Sequence, residues 1–182
     1  MNRSTVLRLA FLAVPLLSLG ACETLRSIDF NPKPEAPPPC PRAVVGENAG
    51  RLTRFSGAGK DPANVVFEAE IADLNGSCVY DGDAIEVDMQ IQLMASRGPA
   101  ATDDTAKFNY FVAVARTDKT ILSRDAFDTV IELPGNKTRN QTVEELEQTI
   151  PIGKGESGDN LVIIVGLEMT PEELEFNRKQ GR

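Results

Sequence analysis

Apolar and polar residues alternate with a period of two along much of the chain, a pattern typical of half-buried β-strands. The longest run covers residues 84–95. Its apolar members are Ile85, Val87, Met89, Ile91, Leu93 and Ala95. Residues 64–72 repeat the alternation, with Val65 and Phe67 on one face and Glu68 and Glu70 on the other. These segments predict strands with one buried face and one solvated face.

Other segments predict strands by their apolar content. Residues 107–116 are apolar on both faces, which suits a central strand covered on both sides. Residues 160–167 are apolar at nearly every position and predict another central strand. Shorter strands are predicted at residues 120–122 and 129–133.

Residues 142–152 fit two interpretations. Val143, Leu146 and Ile150 lie at helical spacing, whereas Leu146, Ile150 and Ile152 also fit a strand. The β-branched pair Thr149-Ile150 directly before Pro151 disfavours a helix. We therefore predict a strand.

Turn and cap residues divide these segments. Asn75-Gly76 and Asp81-Gly82 predict two turns, because glycine tolerates the positive φ that tight turns require. Between them lies a short segment, residues 77–80. At the end of the chain, Thr170 can cap a helix, Pro171 suits its first position and Glu173 completes a capping box.

About seven strands, frequent turn signals and one short terminal helix predict the fold class. We expect residues 40–182 to form an all-β domain, an antiparallel β-sandwich of immunoglobulin-like or fibronectin-like architecture with a short C-terminal helix. The tryptophan usual in antibody-type domains is absent. Architecture of this kind carries no function by itself.

The N-terminus has the features of an export signal. Arg3 and Arg8 are followed by a mostly apolar stretch, residues 9–19, which is shorter than the roughly 20 residues needed to span a bilayer. The stretch ends in Leu19-Gly20-Ala21-Cys22. With these residues the chain resembles the outer-membrane lipoproteins of Gram-negative bacteria.

The resemblance implies that residues 1–21 are a lipoprotein signal peptide and that Cys22 carries the lipid that anchors the protein. In this class an aspartate after the lipidated cysteine retains the protein in the inner membrane, whereas this chain has Glu23. The implied location is the outer membrane, with the domain facing the periplasm. Residues 165–174 also resemble the ends of other envelope lipoproteins, without pointing to any chemistry.

Residues 22–39 predict an extended tether. They contain five prolines and few large apolar residues, so they cannot form a core. In a polyproline II conformation, a segment of this length reaches on the order of 50 Å.

The charge of the chain argues against nucleic acid as a partner. Removal of residues 1–21 takes away two basic residues and changes the net charge from −8 to −10. Such a surface is repelled by phosphate backbones.

Two cysteines remain once Cys22 is lipidated. An even pair in an oxidising compartment predicts a disulfide between Cys40 and Cys78. Redox catalysis is the alternative use of the pair, but the C-x-x-C motif that lowers a thiol pKa is absent.

The chain has no histidine, which removes the usual general base and the commonest transition-metal ligand. We therefore predict no catalytic, cofactor-binding or metal-binding residue. A carboxylate enzyme or a calcium site would have to use loop acids. The candidates are Asp81, Asp83, Asp103, Asp104 and Asp125. Their spacing does not follow the EF-hand pattern, and turn chemistry accounts for them.

Two loops and one serine are candidate contact or catalytic sites. Gly57-Ala58-Gly59-Lys60 lacks the spacing of a phosphate-binding loop and predicts a hairpin loop. Ser123 lies near Arg124 and Asp125 but has no base beside it with a reason to be neutral, so a strand-end turn is the favoured interpretation. Gly98-Pro99-Ala100-Ala101, between Arg97 and Asp103, is a candidate contact surface, although a plain connection also explains it.

These observations favour a membrane-anchored periplasmic lipoprotein that acts as a non-catalytic binding or scaffold module for an envelope protein or wall component. The alternative is a calcium-binding or small-ligand-binding domain, or a hydrolase that uses carboxylates. That class would require an apolar concavity and a carboxylate with a raised pKa.

Overall fold

The computed structural model describes residues 36–57 and 59–181. The predicted signal peptide, the lipidation site at Cys22 and most of the predicted tether lie outside the described residues. The last tether residues, 36–39, are exposed and have no regular secondary structure.

The described chain contains eight strands, one α-helix and two short 3-10 turns. The strands are β1 (Arg42–Val45), β2 (Arg51–Phe55), β3 (Val65–Asp81), β4 (Ala84–Arg97), β5 (Thr105–Arg116), β6 (Ile121–Glu132), β7 (Arg139–Pro151) and β8 (Leu161–Leu167). The helix α1 covers Pro171–Gln180, and the 3-10 turns cover Pro62–Asn64 and Gly158–Asn160.

The strands form two four-stranded sheets that pack face to face. Sheet A has the order β1-β8-β5-β6, and sheet B has the order β2-β3-β4-β7. β1 runs parallel to β8, whereas the other neighbouring strands are antiparallel. The predicted fold class, an antiparallel β-sandwich with a short C-terminal helix, is confirmed.

The core lies between the sheets and is built mainly from alternate residues of β4 and β5. Ile91 and Leu93 of β4 and Val112 and Val114 of β5 are almost completely buried. Full burial of each such side chain contributes about 1.5–3 kcal/mol. Side chains from both sheets belong to one continuous cluster, so residues 40–181 share a single core.

One predicted turn is wrong. Asn75-Gly76 lies inside β3, which is 17 residues long and pairs with β4 through the partners Gln90 and Met89. The irregularity falls at Ala72 instead, where the β3–β4 register shifts. An extra residue of this kind bends a strand without ending it. The short segment predicted at residues 77–80 is therefore the last part of β3.

The predicted turn at Asp81-Gly82 is confirmed. Gly82 has φ +61° and joins β3 directly to β4. The short strands predicted at residues 120–122 and 129–133 belong to one strand, β6, and the ambiguous segment at residues 142–152 forms the strand β7.

The terminal helix begins as predicted. The Thr170 hydroxyl accepts from the Glu173 backbone N–H at 3.3 Å, and the Glu173 carboxylate accepts from the Thr170 N–H at 2.8 Å. Pro171 occupies the first turn, and Gly181 ends the helix with φ +65°. Within the described residues, no helix is long and apolar enough to cross a bilayer.

The predicted disulfide is present. Cys40 and Cys78 are bonded across a sequence separation of 38 residues, with their Cα atoms 5.7 Å apart. The bond joins the residues that precede β1 in sheet A to β3 in sheet B. It therefore links the start of the domain to its longest strand.

We predict that the double variant Cys40→Ala/Cys78→Ala loses about 4 kcal/mol of unfolding free energy, because the bond closes a long loop in the unfolded chain. Urea unfolding followed by circular dichroism measures the change. Reductant should destabilise the parent chain by a similar amount and leave the variant unaffected. Equal midpoints for parent and variant would contradict the prediction.

Candidate functional site

The long strands β3 and β4 separate two ends of the sandwich. β4 has 14 residues, which corresponds to about 45 Å at 3.3 Å per residue. One end carries the Gly82 turn and Cys78, and we call it the tether end. The other end carries Val65 and Gly98, and we call it the loop end.

At the tether end, Tyr80 holds the incoming chain against the sandwich. Its hydroxyl donates to the Pro39 carbonyl at 2.7 Å and accepts from the Gly158 N–H at 2.8 Å. A Cβ on Gly158 would lie 2.3 Å from the Pro39 carbonyl oxygen, so only glycine allows this approach. Together with the disulfide, these contacts fix the point where residues 36–39 meet the domain.

An ion pair orders the loop between β7 and β8 at the same end. The Arg116 Nε lies 2.9 Å from a Glu156 carboxylate oxygen, and the other Glu156 oxygen accepts from the Gly153 N–H at 2.9 Å. The hydrogen bond from Arg116 and the one from Gly153 lower the pKa of Glu156. The same pair raises the pKa of Arg116.

The loop end carries an open groove of about 620 Å³ on the outer face of sheet B. We call it the end groove. Its lining residues are Thr53, Phe55, Lys60, Pro62, Val65, Glu68, Ser96, Arg97, Gly98, Pro99, Phe176 and Gln180. The residues come from the ends of β2, β3, β4 and α1 and from the loops beside them.

The loop that follows β4 forms one wall of the end groove because it folds back on the start of β3. The Gly98 N–H donates to the Val66 carbonyl at 2.8 Å, and the Ala100 N–H donates to the Val65 carbonyl at 2.9 Å. A Cβ on Gly98 would lie 2.1 Å from the Val65 carbonyl oxygen. Glycine is therefore required where the loop leaves β4.

Aromatic side chains form the opposite wall. Phe55 and Phe176 meet edge to face, with ring centroids 5.2 Å apart. The Lys60 ammonium lies 4.8 Å from the centre of the Phe55 ring, within cation–π range. This part of the groove is apolar with a positive rim.

Two buried polar residues hold α1 in the position that brings Phe176 to the groove. The Asn177 side-chain amide donates to the carbonyls of Asn48 at 2.9 Å and Arg51 at 2.6 Å. Glu173 lies 3.1 Å from the Arg54 Nε. Since both residues are almost fully buried, these contacts matter more than exposed ion pairs would.

The end groove continues along sheet B into a charged depression. The two share Thr53, Glu68 and Ser96 in their linings. In the depression, Glu70 contacts Arg51 at 2.8 Å and also pairs with Arg139. The combined surface is aromatic and apolar at one end and charged at the other.

The structure brings together two loops that the sequence singled out separately. Lys60 and the Gly98-Pro99 pair both line the end groove. The expectation of a contact surface at residues 98–101 remains a prediction.

The acidic candidates are dispersed. Asp81 and Asp83 lie at the β3–β4 turn at the tether end, whereas Asp104 pairs with Arg97 at 2.7 Å at the loop end. Asp125 lies in the middle of β6, next to Ser123 on the same strand face. Among the described residues, no group of three or more acidic or cysteine side chains is arranged to hold a metal ion.

The pKa shifts among the described carboxylates are all downward. Hydrogen bonds to backbone groups lower the pKa of Asp118, near Thr120, and the pKa of Glu172 in the first turn of α1. Burial, with a smaller contribution from the charge of Glu144, raises the pKa of Tyr110 to about 12.

Sequence patterns do not identify most of the residues that line this surface. Phe55, Phe176, Arg51 and Arg139 belong to no motif that marks them as site residues. Their proximity comes from strand pairing between distant segments. Arg51 and Arg139 lie on either side of Glu70, because each pairs with its carboxylate.

Comparison with known proteins gives little guidance. No family model and no curated protein matches the chain. A solved structure of the variable domain of the AgI/II polypeptide BspA from Streptococcus agalactiae is 11% identical, over 65% of this chain and 73% of that one. The TM-score is 0.20, which is too low to support an argument.

We predict that Gly98→Ala destabilises the domain by about 1–3 kcal/mol, because the added methyl group overlaps the Val65 carbonyl. Gly135→Ala is the matched control, since nothing lies within 4 Å of its added Cβ. Thermal unfolding of both variants measures the difference. Equal losses in the two variants would show that the close approach at Gly98 is unimportant.

We predict that the Arg116–Glu156 pair makes the free energy of unfolding fall at acidic pH. The folded-state pKa of Glu156 lies below its ordinary value of 4.5, so the pair stabilises the fold above that pH. This stabilisation is lost as the pH falls through the lowered value.

The check is to measure unfolding free energy from neutral pH down to about pH 3. Glu156→Gln should reduce stability at neutral pH and converge with the parent chain in acid. Glu47→Gln, which replaces an exposed glutamate in the loop after β1, should parallel the parent chain. A constant gap between Glu156→Gln and the parent chain would contradict the prediction.

Proposed function

We propose that the protein is a periplasmic lipoprotein, anchored to the outer membrane through Cys22, and that it acts as a non-catalytic binding or scaffold module. In this proposal residues 1–21 are removed, residues 22–39 form the tether and the end groove receives a segment of another envelope protein or wall component.

The observation that carries this proposal is the separation of the two ends of the sandwich. The predicted tether meets the domain at Pro39 and Cys40, where Tyr80 and the disulfide hold it. The end groove lies about 45 Å away along β4. A partner bound in the end groove would therefore not compete with the tether for the same surface.

The chemistry of the surface supports binding to an extended partner segment. Phe55 and Phe176 offer apolar contact at one end, and the charged residues Arg51, Glu70 and Arg139 lie further along sheet B. Aromatic and arginine side chains are the types that most often dominate binding energy in protein interfaces. A partner segment would match the surface if it placed an apolar residue against Phe55 and Phe176 and a charged residue near Arg51, Glu70 and Arg139.

We predict that a photo-crosslinking residue at Phe176 captures one abundant partner in intact envelopes. The same residue at Val79, which is 63% exposed at the tether end, is the matched control. Gel analysis and mass spectrometry identify the products. The partner should appear with the probe at position 176 and not with the probe at position 79.

Further variants separate anchoring from binding. Cys22→Ala should abolish lipid labelling and release the protein from the membrane fraction. Arg51→Ala/Arg139→Ala should weaken capture without changing membrane association. Capture at position 176 that equals capture at position 79 would reject the groove as the binding site, and lipid labelling that persists in Cys22→Ala would reject the anchor.

A further inference from the structure

The four outer edges of the two sheets are not equally protected. An open edge presents unpaired backbone N–H and C=O groups, and proteins normally cover or charge such edges. The edge of β2 is covered by α1, whose Asn177 caps the Arg51 carbonyl. β1 is only four residues long and follows directly from the disulfide at Cys40.

The edge strand β7 is protected by charge. Glu144, Glu145 and Glu147 lie near its centre. An antiparallel copy of β7 would bring these carboxylates close to their counterparts, and like charges on paired strands are destabilising.

The edge strand β6 is neither short nor covered by a helix, and its charged residues, Arg124, Asp125, Asp128 and Glu132, are of both signs. In the part of the chain that the structure describes, it pairs with β5 on one side and with no strand on the other. It also carries exposed apolar side chains: Ile121 is 63% exposed, Leu122 39% and Val130 52%.

The hydrogen-bond pattern shows which residues of β6 point their backbone groups outward. The Leu133 N–H donates to the Asp104 carbonyl, which continues the β5–β6 register. Since the backbone groups of an antiparallel strand alternate between its two sides, the odd-numbered residues from Ser123 to Ile131 face β5, up to the register shift at Leu122. Arg124, Ala126 and Asp128 therefore face the open edge.

The sequence of β6 is complementary to itself about Ala126. In an antiparallel pair of two β6 strands centred there, Arg124 of each strand lies opposite Asp128 of the other. Leu122 lies at the shift in the β5–β6 register, so the regular pairing extends from Ser123 to Thr129. The outward-facing residues Arg124 and Asp128 thus form two pairs of opposite charge, a kind that stabilises antiparallel strands.

Pairings of the two β6 strands about neighbouring residues are less favourable. A pair centred on Arg124 or on Asp128 would place identical charges directly opposite each other. A pair centred on Asp125 would place the two Asp125 carboxylates opposite each other. A pair centred on Phe127 would place Arg124 opposite Val130 and lose both charge pairs.

Arg124 and Asp128 can take part without losing their present contacts. Arg124 pairs with Glu168 and stacks 4.3 Å above the centre of the Phe111 ring, but a guanidinium carries five N–H donors. Asp128 accepts from the Asn109 side chain through one carboxylate oxygen, which leaves the other for the partner.

We propose that two copies of this chain associate through their β6 strands, paired antiparallel about Ala126, so that sheet A continues across the interface as an eight-stranded sheet. The two-fold axis reverses one copy relative to the other. Because β6 runs from the tether end towards the loop end, the tether end of each copy lies beside the loop end of its partner. The inference does not depend on the proposed binding function.

Cysteine crosslinking in intact cells that express the full chain tests the register. In a hydrogen-bonded antiparallel pair the Cα atoms of facing residues are about 5.5 Å apart, within the range that a disulfide spans. Ala126→Cys should therefore form a covalent dimer of twice the chain mass under mild oxidation. Val143→Cys, a position 50% exposed on the charge-protected edge strand β7, is the matched control and should not form a covalent dimer.

Two single variants sharpen the test. Arg124→Cys and Asp128→Cys should each give little dimer when expressed alone, because each faces the other position. Co-expression of the two variants should restore the covalent dimer. This pattern distinguishes the centre at Ala126 from any other register.

Charge exchange tests the same interface without cysteines. Arg124→Asp should shift the sedimentation of the purified chain from dimer to monomer. Arg124→Asp/Asp128→Arg should restore the dimer, because both pairs are exchanged together. Circular dichroism confirms that each variant is folded.

Three results would overturn the proposal. The first is a monomer at every concentration of the parent chain. The second is equal crosslinking of Ala126→Cys and Val143→Cys. The third is an Ala126→Cys product whose mass shows a different protein.

Discussion

The burial of one apolar face of each sheet against the other is the constraint on which the rest of the structure depends. Because side chains alternate along a strand, a slip of one residue would expose the whole apolar face of β4. Its six inward residues, from Ile85 to Ala95, therefore fix the register with β7 along the whole strand and the register with β3 on either side of the shift at Ala72. That register sets the length of the sandwich and hence the distance between the tether end and the loop end.

The same alternation explains how much of the fold could be predicted from the sequence. β4, β5 and β8 bury regular apolar patterns, and the sequence indicated each of them. The turn predicted at Asn75-Gly76 failed because a local glycine signal cannot report that Gly76 is paired with Met89 of the next strand. β1 and β2 are too short to show a pattern, and long-range pairing with β8 and β3 defines them.

The candidate site was less predictable for a related reason. Gly98 has an ordinary loop context in the sequence. The need for glycine at this position follows only from the Val65 carbonyl that lies against it in the fold. Phe55 and Phe176 are far apart in the chain and meet because Asn177 fixes α1 on the edge of β2. Local residue chemistry identified the loops as surface features, whereas the groove exists only through contacts between distant segments.

The proposed β6 pairing also constrains how an anchored protein would sit at a membrane. Reversal by the two-fold axis puts the two Pro39 positions towards opposite ends of the dimer, separated by a distance comparable to the roughly 45 Å length of the sandwich. A dimer standing upright would place one of them far from the bilayer, and a tether with a reach on the order of 50 Å would have to be nearly fully extended to return. A dimer lying along the membrane lets both tethers reach the same surface without strain. In that orientation one side of the dimer faces the lipid. Because the end grooves lie on sheet B, a partner could enter them only if sheet B does not face the lipid.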